Sequence, residues 1–171
     1  LNPDAFADPT VPAQVESLYH RDPTVGAIGF RQVDLDGHWQ LSVGIKPSIM
    51  GELLRKALQD QLDQGSHRVG RLMDRWLSQR TSVSWVAGSA LALSRKAYWC
   101  VDGFDERFFL YFEDIDLCLR LKEAVGEVVY EPSLTVKHVR GASAKVAPEA
   151  SRAHYRRSQC TFWSLHGRGY F

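Results

Sequence analysis

The sequence predicts an α/β protein, a mixed sheet flanked by helices, and three observations carry that expectation. Short apolar runs of strand length alternate along the chain with stretches whose apolar residues recur every three or four positions. Turn residues separate most of these runs. At 171 residues, 44% hydrophobic and 24% charged, the chain can bury one core without metal or disulfide staples.

Asn2-Pro3-Asp4 is turn chemistry, and Asp8-Pro9-Thr10 supplies a second break in which Thr10 is placed to cap a helix from Val11 to His20. Val25 to Val33 is apolar enough for a strand, and Asp34-Leu35-Asp36-Gly37 turns the chain into a second one, Trp39 to Val43. Residues 47–82 change character. Two helical stretches, about Met50 to Gln64 and Val69 to Gln79, set Arg55, Lys56, Arg68, Arg71, Arg75 and Arg80 beside a row of leucines. Either these arginines form a solvated face, or the pair is a flap that meets an anionic acceptor or a membrane surface. Trp85 to Leu93 reads as one buried strand, Ser94 as the cap of a short helix and Asp102-Gly103 as a turn. A helix from Glu113 to Val125, strands at Glu127 to Glu131 and Leu134 to Val139, and a last helix from Pro148 to His166 complete the order.

A balance of 21 Lys and Arg against 20 Asp and Glu gives no global attraction for nucleic acid. Cys100, Cys118 and Cys160 are odd in number, widely spaced and free of any C-x-x-C pair, which points to a reducing compartment and away from a zinc site. No apolar run approaches the roughly 18 residues of a membrane span, and no charged-then-apolar leader opens the chain, so the expectation is a protein neither spanning nor visibly exported. LNPDAFADP lacks a Met and begins like the end of an apolar strand; the start reads as a cut.

The stretch FDERFFLYFEDIDLC, Phe104 to Cys118, packs five carboxylates and five rings into fifteen residues. Placed at about 100° per residue, Glu113, Asp116, Arg120 and Glu123 fall on one side of the 113–125 helix, while Asp114 projects into the apolar side between Leu121 and Val125. Asp116 and Arg120 then make a surface ion pair of small worth. Asp114 turned toward the core needs compensation, which a helix N-terminus supplies in part. It is either a buried cap or a general base in a cleft of lowered polarity. Alternation along Leu134 to Val139 turns His138 inward with Leu134 and Val136. Asp4, Asp114 and His138 together would suit an octahedral, oxygen-preferring ion such as Mn²⁺ or Mg²⁺.

The run WVAGSALALSRKAYWCVDGFDERFFLYFEDIDLCLRL, followed by VVYEPSLTVKH, closely resembles the second half of family-2 glycosyltransferases of the rhamnosyltransferase-like branch. LNPDAFADP resembles that family's strand end with its D-x-D-type metal motif, and YRRSQCTFWSLHG its final block. The resemblance implies a GT-A-like, Rossmann-like mixed sheet that uses a nucleotide-sugar donor and Mn²⁺ or Mg²⁺. It implies Asp4 as the final acid of the metal motif, His138 as the distant ligand, and Asp114 as the base that deprotonates the acceptor hydroxyl. Trp85 and Gly88 would line the acceptor sugar, with Asp105 and Glu106 shaping the loop before the base and Glu113 beside it. Asn2 stands where many relatives carry an acid, and Asp102 replaces a common glycine.

On this reading the chain is one catalytic-domain portion: 1–46 metal-motif loop and strands, 47–82 helical flap, 83–140 acceptor, base and metal-histidine region, 141–171 C-terminal helix. Relatives carry nucleotide-binding strands before the metal motif, so the expected sheet lacks them, and a homo-oligomer or swapped element would cover its edge. The implied activity is inverting transfer, hexosyl or rhamnosyl, to a saccharide or lipid-linked saccharide in cell-envelope glycan synthesis. The place would be cytoplasmic, peripheral at the inner face of the membrane. The alternative is a catalytically silent remnant that binds saccharide or protein. In the last helix, Tyr155, Phe162 and Trp163 either dock on the sheet, or Arg156, Arg157 and His166 close over the donor diphosphate.

Overall fold

The computed structural model describes residues 1–44, 47–139 and 148–167. The expected loop between Val139 and Pro148 lies outside the described residues. The elements run β1 (Ala5–Ala7), α1 (Val11–Arg21), β2 (Ala27–Val33), β3 (Trp39–Gln40), β4 (Val43–Gly44), α2 (Ile49–Asp63), α3 (His67–Trp76), β5 (Thr81–Val83), β6 (Trp85–Val86), β7 (Leu91–Ala92), α4 (Arg95–Cys100), α5 (Glu113–Ala124), β8 (Val128–His138) and α6 (Pro148–His166). The mixed α/β sheet expected from the sequence is present. β2 and β8 pair in parallel at its centre; β1 and β5 lie antiparallel on β8, β3 and β7 antiparallel on β2. β4 and β6 form a separate two-stranded ribbon.

Both faces of the sheet are covered. On one, Ala27, Val128 and Tyr130 pack with Val86, Leu117, Leu121, Leu62 and Met73, so α5 and the α2–α3 pair share one core. On the other, Ile28, Phe30, Val129, Leu134 and Val136 pack against Val11 and the apolar side of α1. The register of β8 against β2 jumps between Glu131 and Thr135, opposite Phe30 and Arg31. Val128 and Tyr130 therefore face the first core while Leu134 and Val136 face the second, although all four numbers are even.

Four local expectations are corrected. The strand read across Trp85 to Leu93 is broken: after Val86 the chain makes a 3₁₀ turn at Gly88–Ala90 before β7. The run from Trp39 to Val43 splits between the main sheet and the ribbon. The two strands expected between Glu127 and Val139 are one strand that bends at its bulge. Thr10 stands at the cap of α1 but its side chain makes no cap bond; instead its N–H and hydroxyl donate to Asp8. Two short strands, β1 and β5, were not read from the sequence because three residues carry too little periodicity to register. Ser94 caps α4 as expected, its hydroxyl accepting from the Ala97 N–H at 3.0 Å.

Candidate active site

The acid-rich stretch folds into a strained entry to α5. Tyr111 and Phe112 both take left-handed backbone, at φ 69° and 68°, a conformation that costs side-chain-bearing residues on the order of 1–3 kcal/mol each. Aromatic packing holds them there. Phe112 lies 5.3 Å from Phe162 and 5.4 Å from Tyr155 between ring centroids, Tyr111 lies 5.5 Å from Tyr155, and Ser158 donates to the Leu110 carbonyl at 2.8 Å. The interleaved rings thus clamp a turn that presents Glu113 and Asp114 in the first turn of α5.

Asp114 is fixed by backbone donors. The Gly88 N–H donates to its Oδ2 at 2.9 Å and the Ile115 N–H to its Oδ1 at 2.8 Å. A Cβ at residue 88 would sit 3.3 Å from the Asp114 Cβ, so the glycine leaves room for this close approach. The break in the expected strand is what aims the Gly88 N–H at the carboxylate. Burial raises the pKa of Asp114, and the N–H donors and the Arg55 charge recover only part of that shift. Glu113 is pushed up to about 7, by burial first and then by the charge of Asp114. Its Oε2 is buried without a hydrogen-bond partner among the described residues. Two adjacent carboxyls with raised pKa at a helix N-terminus have the properties of a proton acceptor working near neutral pH.

Asp4 and His138 meet at the C-terminal end of β8. The turn of residues 2–5 leads into β1, which pairs Ala5 with His138, and the Val139 N–H donates to the Asp4 carbonyl. His138 Nε2 lies 3.5 Å from Asp4 Oδ1, and its Nδ1 lies 3.1 Å from Gln40 Oε1. The Gln40 amide nitrogen donates to the His138 carbonyl at 2.8 Å, so the amide oxygen must face the ring and accept from Nδ1–H. In the neutral imidazole, Nε2 then carries a lone pair directed toward a carboxylate oxygen. At that separation the two make an ion pair when the ring is protonated and, when it is neutral, offer one nitrogen and one oxygen to a shared cation, with Gln40 behind the ring.

The three-residue cation set is corrected. Among the described residues, Asp4, Asp114 and His138 do not bring their ligand atoms together; the one carboxylate–histidine group of three that does is Asp34, Asp36 and His38, on the exposed hairpin turn. Asp114 and the Asp4–His138 pair are nonetheless joined by a short path. Ser89, next to Gly88, accepts from the Asn2 N–H at 3.0 Å and donates from its hydroxyl to the buried Gln32 at 2.8 Å.

Asp116 also differs from expectation. Instead of a surface ion pair it is 2% exposed, with Arg120 Nε at 2.8 Å on one oxygen and His166 Nε2 at 2.8 Å on the other. α6 covers that side of α5, which a wheel drawn for one helix has no means to include. His166 stacks 4.7 Å from Phe162, while Arg156 bonds Gln159 and, like Arg157, is exposed. Trp85 is buried under Arg55, whose guanidinium carbon is 5.8 Å from the ring centre. Asp105 grips the Arg107 N–H and guanidinium, which holds its carboxyl below the usual range, and Glu106 is exposed.

Arg55, Gln40 and His166 as a partner of Asp116 were not singled out as such by the sequence. A signal for Arg55 exists: it lies on the same side of α2 as the buried Gln59 and Leu62, away from the exposed leucines. Gln40 and His166 depend on contacts across 98 and 50 residues, with no local trace. A concavity of about 330 Å³ along α1, lined by Thr10, Gln14, Arg21 and Ser133, holds none of these groups.

No protein-family model matches the chain. It is 31% identical over 161 residues to the N-acetylglucosaminyl-diphospho-decaprenol L-rhamnosyltransferase of Mycobacterium tuberculosis, which covers 94% of this chain and 52% of that protein. It is 43% identical over 58 residues to rhamnosyltransferase WbbL of Escherichia coli, covering 34% of this chain and 22% of that protein. Over 139 residues it is 34% identical to the pre-mycofactocin glycosyltransferase of Mycobacterium tuberculosis, covering 78% of this chain and 26% of that protein. The chain thus spans about half the length of the mycobacterial rhamnosyltransferase it matches.

Proposed function

Because the chain belongs to the rhamnosyltransferase-like glycosyltransferases, we propose that it carries the acceptor and base region of a family-2, inverting, nucleotide-sugar-dependent enzyme of cell-envelope glycan synthesis. The acceptor is a growing or lipid-linked saccharide at the inner face of the cytoplasmic membrane, a class that the name of the mycobacterial relative supports. The observation that carries the reading is the Asp114 carboxylate, held by the Gly88 N–H behind the clamped Tyr111–Phe112 turn with its pKa raised.

An acceptor hydroxyl is a poor nucleophile until its proton is taken, and a carboxylate with raised pKa is suited to take it during attack. The hydroxyl oxygen bonds to the anomeric carbon from the face opposite the diphosphate, the sugar–phosphate bond breaks, the proton passes to Asp114, and the configuration inverts. Trp85 and Gly88 wall the acceptor side, while the Asp105–Arg107 grip shapes the approach. Asp4 and His138 would hold Mn²⁺ or Mg²⁺, and such an ion supplies charge neutralisation to a departing nucleoside diphosphate. Arg156 and Arg157 are the basic candidates on α6 for the donor diphosphate, since His166 is already bonded to Asp116.

Thermal unfolding with a panel of nucleoside diphosphates and Mn²⁺ tests this reading. A donor bound only by the folded chain at a hundredfold excess over Kd adds about 2.7 kcal/mol of stability. Protection by one nucleotide, lost in Asp4→Ala, is expected. No protection across the panel would instead favour a silent saccharide- or protein-binding module.

A further inference from the structure

The α2–α3 hairpin presents its apolar residues the wrong way round for a helix pair that only covers a core. Met50, Leu53, Leu54 and Ala57 follow one stripe of α2 at helical spacing, and all are exposed, the first three by 74%, 58% and 60%. The opposite side of the same helix buries Gln59 and Leu62. α3 repeats the arrangement with charge: it buries Met73, while Arg68, Arg71 and Arg75 share the outward stripe and Trp76 is 63% exposed at its end. Leu62 and Met73 enter the same core, so both outward stripes face away from the same layer.

The charges on this face are not balanced. Asp74 is held by Arg31 and by the Trp39 indole N–H, Asp60 by Lys56, Asp63 by Gln59 and Glu52 by Gln159. Arg31 and Lys56 neutralise Asp74 and Asp60, while the Gln59 and Gln159 amides hold Asp63 and Glu52 without cancelling charge; on α3 itself three arginines stand against the single acid Asp74, and Arg68, Arg71 and Arg75 have no partner among the described residues. An apolar stripe beside uncompensated arginines and an end-placed tryptophan is complementary to an anionic bilayer surface, where leucines enter the acyl boundary and guanidinium groups meet lipid phosphates.

We propose that the outward face of α2 and α3 docks the chain on an anionic membrane surface. Among the described residues no helix is long and apolar enough to cross a membrane, so the attachment lies in the interface. Arg55, rooted on the inward side of α2, reaches over Trp85 and acts electrostatically on Asp114, so the docked helix borders the acceptor wall. This deepens the proposed transfer to a lipid-linked acceptor, yet its test requires no transfer.

Co-sedimentation of the chain with vesicles reads the interaction directly. The chain is expected to pellet with phosphatidylcholine–phosphatidylglycerol vesicles, far less with phosphatidylcholine alone, and to be released by salt. Replacing Arg68, Arg71 and Arg75 together by Gln is expected to weaken binding by about two orders of magnitude, at about fivefold per arginine. Leu53→Gln with Leu54→Gln is expected to weaken it by about tenfold or more. Should the double variant lose its melting transition, Met50→Gln carries the same test. Failure to pellet with anionic vesicles, or pelleting that neither set of substitutions changes, overturns the proposal. A lipid-free dimer dissociated by the leucine substitutions would assign the face to a second copy and overturn it equally. A chain that binds vesicles but no nucleoside diphosphate leaves the docking face standing and counts only against donor binding by this chain.

Discussion

Asp114 and Asp116 are two residues apart on α5 and meet opposite surroundings. Asp114 receives only neutral backbone donors, from Gly88 and Ile115, and burial raises its pKa. Asp116 is gripped by Arg120 on one oxygen and His166 on the other, and it is almost wholly enclosed. The difference separates a carboxylate whose pKa burial raises from one that joins two helices. Asp114 is part-buried and Asp116 enclosed, and only the second is held by a guanidinium.

The largest effect that sharpens this contrast is expected at the first residue. In a protein that contains this chain and transfers sugar, Asp114→Asn is expected to lower kcat by roughly 10²–10⁴-fold with only a small change in the thermal midpoint, because the amide oxygen still accepts from Gly88 and relief of the desolvated charge offsets the bond lost where the new NH2 faces the Ile115 N–H. Retained turnover, or collapse of the fold, would reduce Asp114 to a helix cap. Asp116→Ala is expected to act on the fold, destabilising by about 3–5 kcal/mol in urea unfolding because Arg120 is left partly buried without its partner. A double-mutant cycle with His166→Ala should show coupling; additive losses would dissolve the link between α5 and α6.

A smaller effect belongs to Glu113. Its pKa of about 7 lies above the ordinary 4.5, so the folded chain binds its proton more tightly than the unfolded chain between those values. Stability contributed by the neutral form is present at low pH and is lost as pH rises through that window, by at most about 3 kcal/mol, the full value at 1.36 kcal/mol per unit being reduced by solvent because the side chain is only part-buried. Glu113→Gln should flatten that slope and raise stability at pH 8. Urea midpoints measured from pH 4 to 8 that fall identically in both proteins would place the titration elsewhere.

The sequence made most of the fold legible because most of its helices announce themselves. Ser94 lies at a cap, α5 and α6 begin near their expected residues, and the hairpin at Asp34–Gly37 forms where its turn residues stand. What failed to appear depends on the chain folding back. Trp85 to Leu93 is apolar except at Gly88 and Ser89 and reads as a strand; the contact with Asp114, 26 residues on, gives the reason it breaks at Gly88. Asp116 looked solvated because α6 covers it from 50 residues away. The pairing of Asp4 with His138 was anticipated, whereas Gln40, which orients the ring, was hidden in a two-residue strand.

One feature of β8 reaches further than its size suggests. Between positions paired with adjacent residues of β2, the strand interposes Pro132, Ser133 and Leu134, an odd number. Because side chains flip with every step, that odd count sets the phase of everything after it, including which way the ring at 138 points. Removing a single residue there would turn His138 away from Asp4 without altering either of them, whereas removing two would preserve its phase. Tolerance of length change at this kink should therefore run by parity rather than by how much chain is lost.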